Sequence, residues 1–531
     1  MKKFSSCNSV FNGADGFELM TIETDVSSGL FFFKIIGLAD RMVQESRFRI
    51  LSALRNSGFG IPQRRNEKVT VSLLPAHIKK ISNYSDLAIA ATYLIASKQI
   101  DDFSEPTVLI GQLGLDGSVF CSGDISHLVH VAYQNGIRNF VVPKESVRHI
   151  DTLSEIHIAS IDNLKDIANL QFEKFIPCHQ YEPLASKEAI QRRDQIREFE
   201  IDSLENIDQH KRALHIALAG KHPILFGGMP GTGKSALARC AIELIGDLSY
   251  EQAMEVQSAY LNSNVSRPQS DEGFYRPPIR MPHHHATRIS MVGGNAIHHA
   301  GEISLAHHGI LLLDELCEFS RDTLESLREI FDHRGAYIRK GNRQSFVAFE
   351  GIIIATTNLC PCGSVGIKTE SQNNGTCRCT TYRIRQYQGK LSNPMLDRFH
   401  IKTIFHQDSL ASHRRKGQGN SRDPKLSGHN MKQSIGAAIQ RQSMRNPKIG
   451  HRDAFIPNSH LSTKDIRSFG ISNEALDTIS ESEKTLSIPK RVTANIFRIS
   501  RTIADLDEKE IIENAHVLEA IQYARINPFL Q

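Results

Sequence analysis

No stretch of the 531 residues approaches the ~20 consecutive apolar positions that a membrane-spanning helix needs, so no membrane span is expected. The opening segment, MKKFSSCNSVFNGADG, carries two lysines with no apolar run behind them. A secretory signal is therefore not expected, and a cytoplasmic location follows. Cysteine is too sparse, at nine residues, to form a disulfide scaffold. A net charge of +5 is too slight at this length to establish a nucleic-acid partner, and no internal repeat of fixed period is present. What remains, 40% hydrophobic and 23% charged residues, is the composition of a soluble globular protein. Its length suggests roughly three units of about 150 residues each.

Residues 1–175 mix short β-branched or aromatic runs (LFFFKIIG, KVTVSLLP, NFVVP) with helical stretches at Val43–Ser57 and Asp86–Ser97, which predicts an α/β or α+β domain. Residues 176–199 are polar and then charged, as expected of a linker. Over 200–405, helices alternate with the buried-strand signals HPILFGG, GILLLDE and GIIIATTN. That alternation predicts a parallel sheet covered on both faces. A basic, Ser- and Gly-rich linker at 406–430 leads into helical periodicity over 431–531.

Within the central region, Gly228-Met-Pro230-Gly231-Thr232-Gly233-Lys234-Ser235 fits the G-x-x-x-x-G-K-[ST] loop. Such glycines let backbone N–H groups turn inward on phosphate oxygens. Lys234 is expected to reach the β and γ phosphates of ATP, and the Ser235 hydroxyl to ligate Mg²⁺. The helix that starts here and runs through Ala236 turns its positive end toward the anion. Farther on, the strand at Ile310–Leu313 ends in Asp314, expected to hold Mg²⁺, and Glu315, expected to polarise the attacking water. One strand later Asn358 stands where a neutral amide can orient that water.

Two further patterns carry chemistry. The run GAYIRKGNRQSFVAFE reads as two strands around a tight basic turn, with Arg339, Lys340 and Arg343 at its tip. Lys and Arg there would contact a nucleic-acid backbone without reading sequence. Cys360, Cys362, Cys377 and Cys379 form two Cys-x-Cys pairs, a ligand set for structural Zn²⁺ whose one-residue gaps are tighter than the usual spacing. The alternative is four reduced thiols in a loop. The histidines at 283–285, 298, 299, 307 and 308 are read as groups for adventitious metal capture or plain hydrogen bonding rather than as a cofactor site.

The succession GMPGTGKS, PHHHATRISMVGG, GEISLAHHGILLLDEL, ATTN, CPCG, CRC and NPMLDRF resembles the Mg-chelatase-like AAA+ proteins of the ComM (YifB) family. The stretch GLADRMVQESRFRILSALRNSGFGIPQRR is similar to that family's non-proteolytic Lon-protease-like domain, and SRTIADLDEKEIIENAHVLEAIQY to its all-helical chelatase-type lid. The resemblance implies a P-loop ATPase core in a homo-hexameric ring. Such a ring hydrolyses ATP at subunit interfaces and draws single-stranded or branched DNA through a pore, as a branch-migration helicase of recombination in natural transformation. It also implies that Arg398 is an arginine finger given to the neighbouring subunit and that Arg491 is the sensor arginine of the lid. Asn495 occupies the place of a second basic residue.

Three other functions compete with this one. In a Lon-type peptidase, Ser85 falls near the nucleophile's place, but Ile125 stands where the lysine base belongs. A chelatase motor that remodels a protein partner would usually lack the appended Lon-like domain and the Cys-x-Cys insertion. A nucleotide-dependent scaffold would not need Lys234, Asp314, Glu315 and Arg398 together.

Overall fold

The computed structural model describes residues 3–12, 17–78, 80, 84–121, 125–150, 155–170, 175–177, 199–261, 263, 265, 275–294, 300–340, 343–363, 377–405, 424–445 and 455–529. These fall into two compact units, one ending at residue 177 and one beginning at residue 199. The segments expected to be linkers lie mostly outside the described residues.

In the first unit, β1 (Lys3–Asn12), β2 (Phe17–Ser28), β3 (Phe32–Ile36), β4 (Glu67–Leu74) and β5 (Thr107–Leu109) share a sheet with three later strands. A two-stranded pair, β6 (Gln112–Leu113) and β7 (Val119–Phe120), stands apart from it. The later strands are β8 (Asn139–Pro143), β9 (His157–Ile161) and β10 (Ile176–Pro177), and the order is β10-β9-β8-β5-β1-β2-β4-β3. Ser5, Ser9 and Thr24 point into the core from β1 and β2. Their hydroxyls are satisfied by Thr92 O at 2.6 Å, Leu109 O at 2.8 Å and Thr92 Oγ1 at 2.8 Å. The helix Asp86–Ala96 packs there, buried along its whole length. Ser85 is buried just before that helix, and Ile125 is buried at the first position of the helix Ile125–Gln134.

The second unit is built on a five-stranded, all-parallel sheet. Its members are β11 (Ile224–Gly228), β12 (Ile279–Arg280), β13 (Ile310–Leu313), β16 (Ile352–Thr357) and β17 (Ile401–Phe405). The order is β12-β13-β16-β11-β17, so β11 is flanked by β16 and β17. Between β13 and β16 the chain forms an antiparallel hairpin, β14 (Gly335–Lys340) and β15 (Arg343–Ala348). Both units are therefore mixed α/β, and the second has the parallel sheet that its alternating pattern predicts.

Helices from Gly428 onward do not make a core of their own. Met431, Ile435, Ile479, Ile496, Ile499 and Val517 share one apolar cluster with Ile224, Phe226, Leu312 and Ile354 of the sheet. A buried charge network stands beside it. Arg501, fully buried, donates to Asp505 Oδ1 from Nε (3.1 Å) and Nη2 (2.9 Å). Arg445 and Asn458 donate to the same carboxylate at 2.6–2.8 Å. Among the described residues, no helix is long and apolar enough to cross a membrane.

Removing one partner of a buried ion pair strands the other charge, so Asp505→Ala is expected to destabilise the second unit by about 3–5 kcal/mol. Urea unfolding of the full chain measures this as a lowered midpoint for that unit's transition.

Candidate nucleotide site

Strand β11 delivers its last residues to the carboxyl edge of the parallel sheet, where ligands of such sheets bind. The turn out of the strand needs glycine at Gly228, whose φ is +146°. A Cβ there would lie 2.8 Å from the Phe405 carbonyl oxygen and 2.9 Å from its Cβ. Gly231 and Gly233 also have positive φ, and the helix Lys234–Leu244 starts immediately after. Pro230 is exposed on this loop and Ala236 in the first turn of the helix, while Thr232 is buried and donates its hydroxyl to Met229 O at 2.8 Å.

Lys234 Nζ folds back onto the loop, donating to Gly228 O (2.9 Å), Met229 O (2.5 Å) and Asn358 Oδ1 (3.4 Å). Burial pushes its amine down to about 8, an effect that the nearby Asp314 and Glu315 carboxylates partly offset. Ser235 Oγ donates to Asp314 Oδ1 at 2.8 Å, and Thr356 Oγ1 donates to the same oxygen at 2.5 Å. Thr356 Oγ1 in turn accepts from the Glu315 backbone N–H at 3.0 Å. Glu315 itself is exposed and sits in the left-handed region, with φ +54° and ψ +53°. That conformation costs a non-glycine residue about 1–2 kcal/mol, and the Thr356 hydrogen bond helps to hold it. The result aims an exposed carboxylate outward beside the loop. His284 Nδ1 lies 4.0 Å from its Oε2.

The structure thus brings Lys234, Ser235, Asp314, Glu315 and Asn358 together. A hydroxyl and a carboxylate oxygen in contact, next to an ammonium group and a positive helix end, fit a Mg²⁺–triphosphate by their chemistry. Sequence reading missed Thr356 and His284. Thr356 had a signal in the first threonine of ATTN, whereas His284 had none beyond its place in a histidine run.

Arg398 and Arg491 lie elsewhere in the same unit and meet at one carboxylate. Arg398 donates to Asp332 through Nε (3.2 Å) and Nη2 (2.5 Å), and Arg491 Nη2 donates to Asp332 Oδ1 at 3.0 Å. All three line a cavity of about 400 Å³ together with Lys221, Arg334 and Arg498. Asn495 donates to the carbonyl of Asp397 at 3.0 Å, so the amide links the helix Lys490–Leu506 to the residue before Arg398.

Arg339, Lys340 and Arg343 close the β14–β15 hairpin, with Lys340 opposite Arg343 in the register. Their side chains lie outside the described residues, as does the turn between them. On the described part of the ribbon, Tyr337 and Phe346 face each other with ring centroids 5.0 Å apart. They are 55% and 46% exposed, an aromatic pair that sequence reading passed over.

Three sulfurs of the paired cysteines lie 3.4–3.7 Å apart (Cys360, Cys362 and Cys377), and the Cys379 sulfur is within 4.8 Å of the others. Zn–S bonds of ~2.3 Å in a tetrahedron place sulfurs about 3.8 Å apart, so the four residues fit a structural Zn²⁺. These distances far exceed an S–S bond, so the four sulfurs are not joined in disulfides. The knuckle also touches the phosphate loop, because a Cβ on Gly363 would meet Pro230 Cγ at 2.4 Å.

The remaining histidines divide. His283, His284 and His285 cluster at the surface, and residues 298 and 299 lie outside the described residues. His307 and His308 place their Nε2 atoms 3.0 Å and 2.6 Å from Glu255 Oε2. His307 Nδ1 accepts from the Glu350 backbone N–H at 3.2 Å, which puts its proton on Nε2, facing the carboxylate. The trio is therefore a hydrogen-bonded clamp.

Three family models match the chain in succession. One described as subunit ChlI of Mg-chelatase covers residues 22–146, magnesium chelatase subunit ChlI covers 201–412, and the ChlI C-terminal region covers 425–524. YifB of Escherichia coli, an uncharacterised protein, is 32% identical over 531 residues, spanning 96% of this chain and 95% of its own. YifB of Salmonella typhimurium is 32% identical over 518 residues, with 96% and 95% covered. The competence protein ComM of Haemophilus influenzae is 29% identical over 528 residues, with 97% and 96% covered.

Two outcomes test this site. Phosphate needs the Lys234 ammonium, so ATP affinity should hold steady below pH ~7 and weaken about tenfold per pH unit above ~8. Titration with a fluorescent ATP analogue reads that slope, and Lys234→Arg, charged throughout, should lose it. Gly363→Ala and Cys377→Ser should both weaken nucleotide binding, while only the second lowers the zinc content measured on the purified protein.

Proposed function

The chain belongs to the Mg-chelatase-like family that contains YifB and ComM, and on that premise we propose that it is a Mg²⁺-dependent AAA+ ATPase. We further propose that it works as a homo-hexameric ring moving along single-stranded or branched DNA, as a branch-migration helicase in recombination of incoming DNA. The observation that carries the first part is the contact of Lys234, Ser235, Asp314, Thr356 and Asn358 around one loop.

In this reading Lys234 releases its carbonyl partners to grip the β and γ phosphates, and Ser235 and Asp314 hold Mg²⁺. Held there, Mg²⁺ would supply positive charge against that developing on the phosphate oxygens. Glu315 takes the proton from water as its oxygen attacks the γ-phosphorus and the bond to the ADP oxygen breaks. Asn358 orients that water. Arg398 and Arg491, which meet at Asp332, act on the nucleotide of the neighbour. An arginine given in trans can raise the rate by roughly 10³ to 10⁵.

The DNA part rests on the competence protein among the relatives and on the hairpin. From Gly335 to Phe349 the sequence holds Arg339, Lys340 and Arg343 and no acidic residue. The exposed Tyr337–Phe346 pair beside them supplies faces on which unpaired bases can stack, worth about 1–3 kcal/mol per base in such proteins. A second reading, a motor that remodels a protein partner, draws on the match to magnesium chelatase subunit ChlI.

The purified protein is to be assayed for ATP hydrolysis and strand migration with and without single-stranded and branched DNA. Lys234→Ala and Glu315→Gln should abolish hydrolysis. Replacing Arg339, Lys340 and Arg343 by alanine should remove only the stimulation by DNA. Hydrolysis indifferent to DNA at low salt would favour the protein-remodelling motor.

A further inference from the structure

The convergence of two arginines on one carboxylate assigns a role to a residue that carries no motif. We propose that Asp332 is a positioning residue for the interfacial arginines, holding Arg398 and Arg491 in one constellation that acts on the neighbouring subunit's nucleotide. The proposal rests on the reading of those arginines given above.

Asp332 ends the helix Arg321–His333, while Arg398 follows the short helix Asn393–Leu396 and Arg491 stands in the first turn of Lys490–Leu506. Three elements distant in sequence thus meet at one carboxylate. Left alone, two guanidinium groups at this spacing would repel. One carboxylate between them cancels part of the charge. It also fixes the orientation of Arg398 through a two-point contact, the geometry that best constrains a planar guanidinium. The third donor of Arg398, Nη1, is taken by Pro394 O at 2.7 Å.

The platform is rigid. Phe331, next to Asp332, packs edge-on against Phe399, next to Arg398, with centroids 5.1 Å apart. One turn back, Arg328 Nη2 donates to Ser392 Oγ at 2.8 Å. Asn495 pins the helix of Arg491 to Asp397 O. These contacts keep the backbones registered, so what Asp332 adds is the direction of the guanidinium groups. Arg398 is 12% exposed, Asp332 32% and Arg491 45%, which leaves the group accessible to a partner from one side. An acidic side chain serves here because it binds both arginines without a donor of its own that could compete for phosphate oxygens.

The test uses mixed assemblies of full-length chains. Asp332→Ala should bind a fluorescent ATP analogue with unchanged affinity and hydrolyse ATP on the order of 10²-fold more slowly, the cost of a misplaced group. Asp332→Glu should recover part of that rate, and the thermal midpoint of each variant checks its folding. Mixed with Lys234→Ala subunits, which have an intact Asp332 and a dead loop, the Asp332→Ala protein should regain hydrolysis severalfold above the sum of the two alone. The same mixing with Arg398→Ala subunits in place of Asp332→Ala serves as the control. An unchanged rate in Asp332→Ala, or restoration of the Arg398→Ala mixture but not of the Asp332→Ala mixture, overturns the proposal. If neither mixture is restored, supply of Arg398 from the neighbour is wrong, and the role of Asp332 falls with it.

Discussion

One carboxylate oxygen, Asp314 Oδ1, receives hydroxyl protons from Ser235 and Thr356 and so ties three elements of the second unit at a point. Ser235 belongs to the helix after the loop, Asp314 ends β13, and Thr356 lies in β16. The parallel register brings these together, because Leu313 pairs with Ala355 and Gly227 with Thr357 across adjacent strands. Thr356 then passes the constraint on to Glu315, whose left-handed backbone is held by that hydroxyl and by the short turn that follows. A change in what Asp314 binds is therefore felt at Glu315.

The loop, the acidic strand end and Asn358 were legible in the sequence because each is encoded in a few consecutive residues between apolar runs. The strand signals HPILFGG, GILLLDE and GIIIATTN correspond to β11, β13 and β16. Strand β17 was not legible. It places Lys402 and Thr403 in a buried row, where Thr403 Oγ1 meets His210 Nδ1 at 2.7 Å and burial pushes the Lys402 amine down to about 8. Likewise β1 and β2 hide their alternation behind inward-facing Ser5, Ser9 and Thr24, which are tolerated inside only because the helix Asp86–Ala96 and β5 offer acceptors.

What the site gains from distant partners was illegible for the same reason. Asp332 lies 66 residues from Arg398 and 159 from Arg491. Nothing in its own neighbourhood, DHRGAY, marks it. The contact of Gly363 with Pro230 joins residues that no local pattern relates, and the aromatic pair on the hairpin is visible only once the register sets Tyr337 against Phe346. Four cysteines could be read as a metal site, yet only the fold shows that this knuckle abuts the loop that would hold phosphate.

The shared apolar cluster has a mechanical meaning. Close-packed interiors transmit strain instead of absorbing it. Because Ile496 and Ile499 are embedded in the same cluster as Ile224 and Ile354, the helix bearing Arg491 shares its packing with the sheet. A shift of β11 or β16 would therefore press on that helix through the shared packing, so Arg491 is mechanically tied to the strands that carry the loop and Thr356.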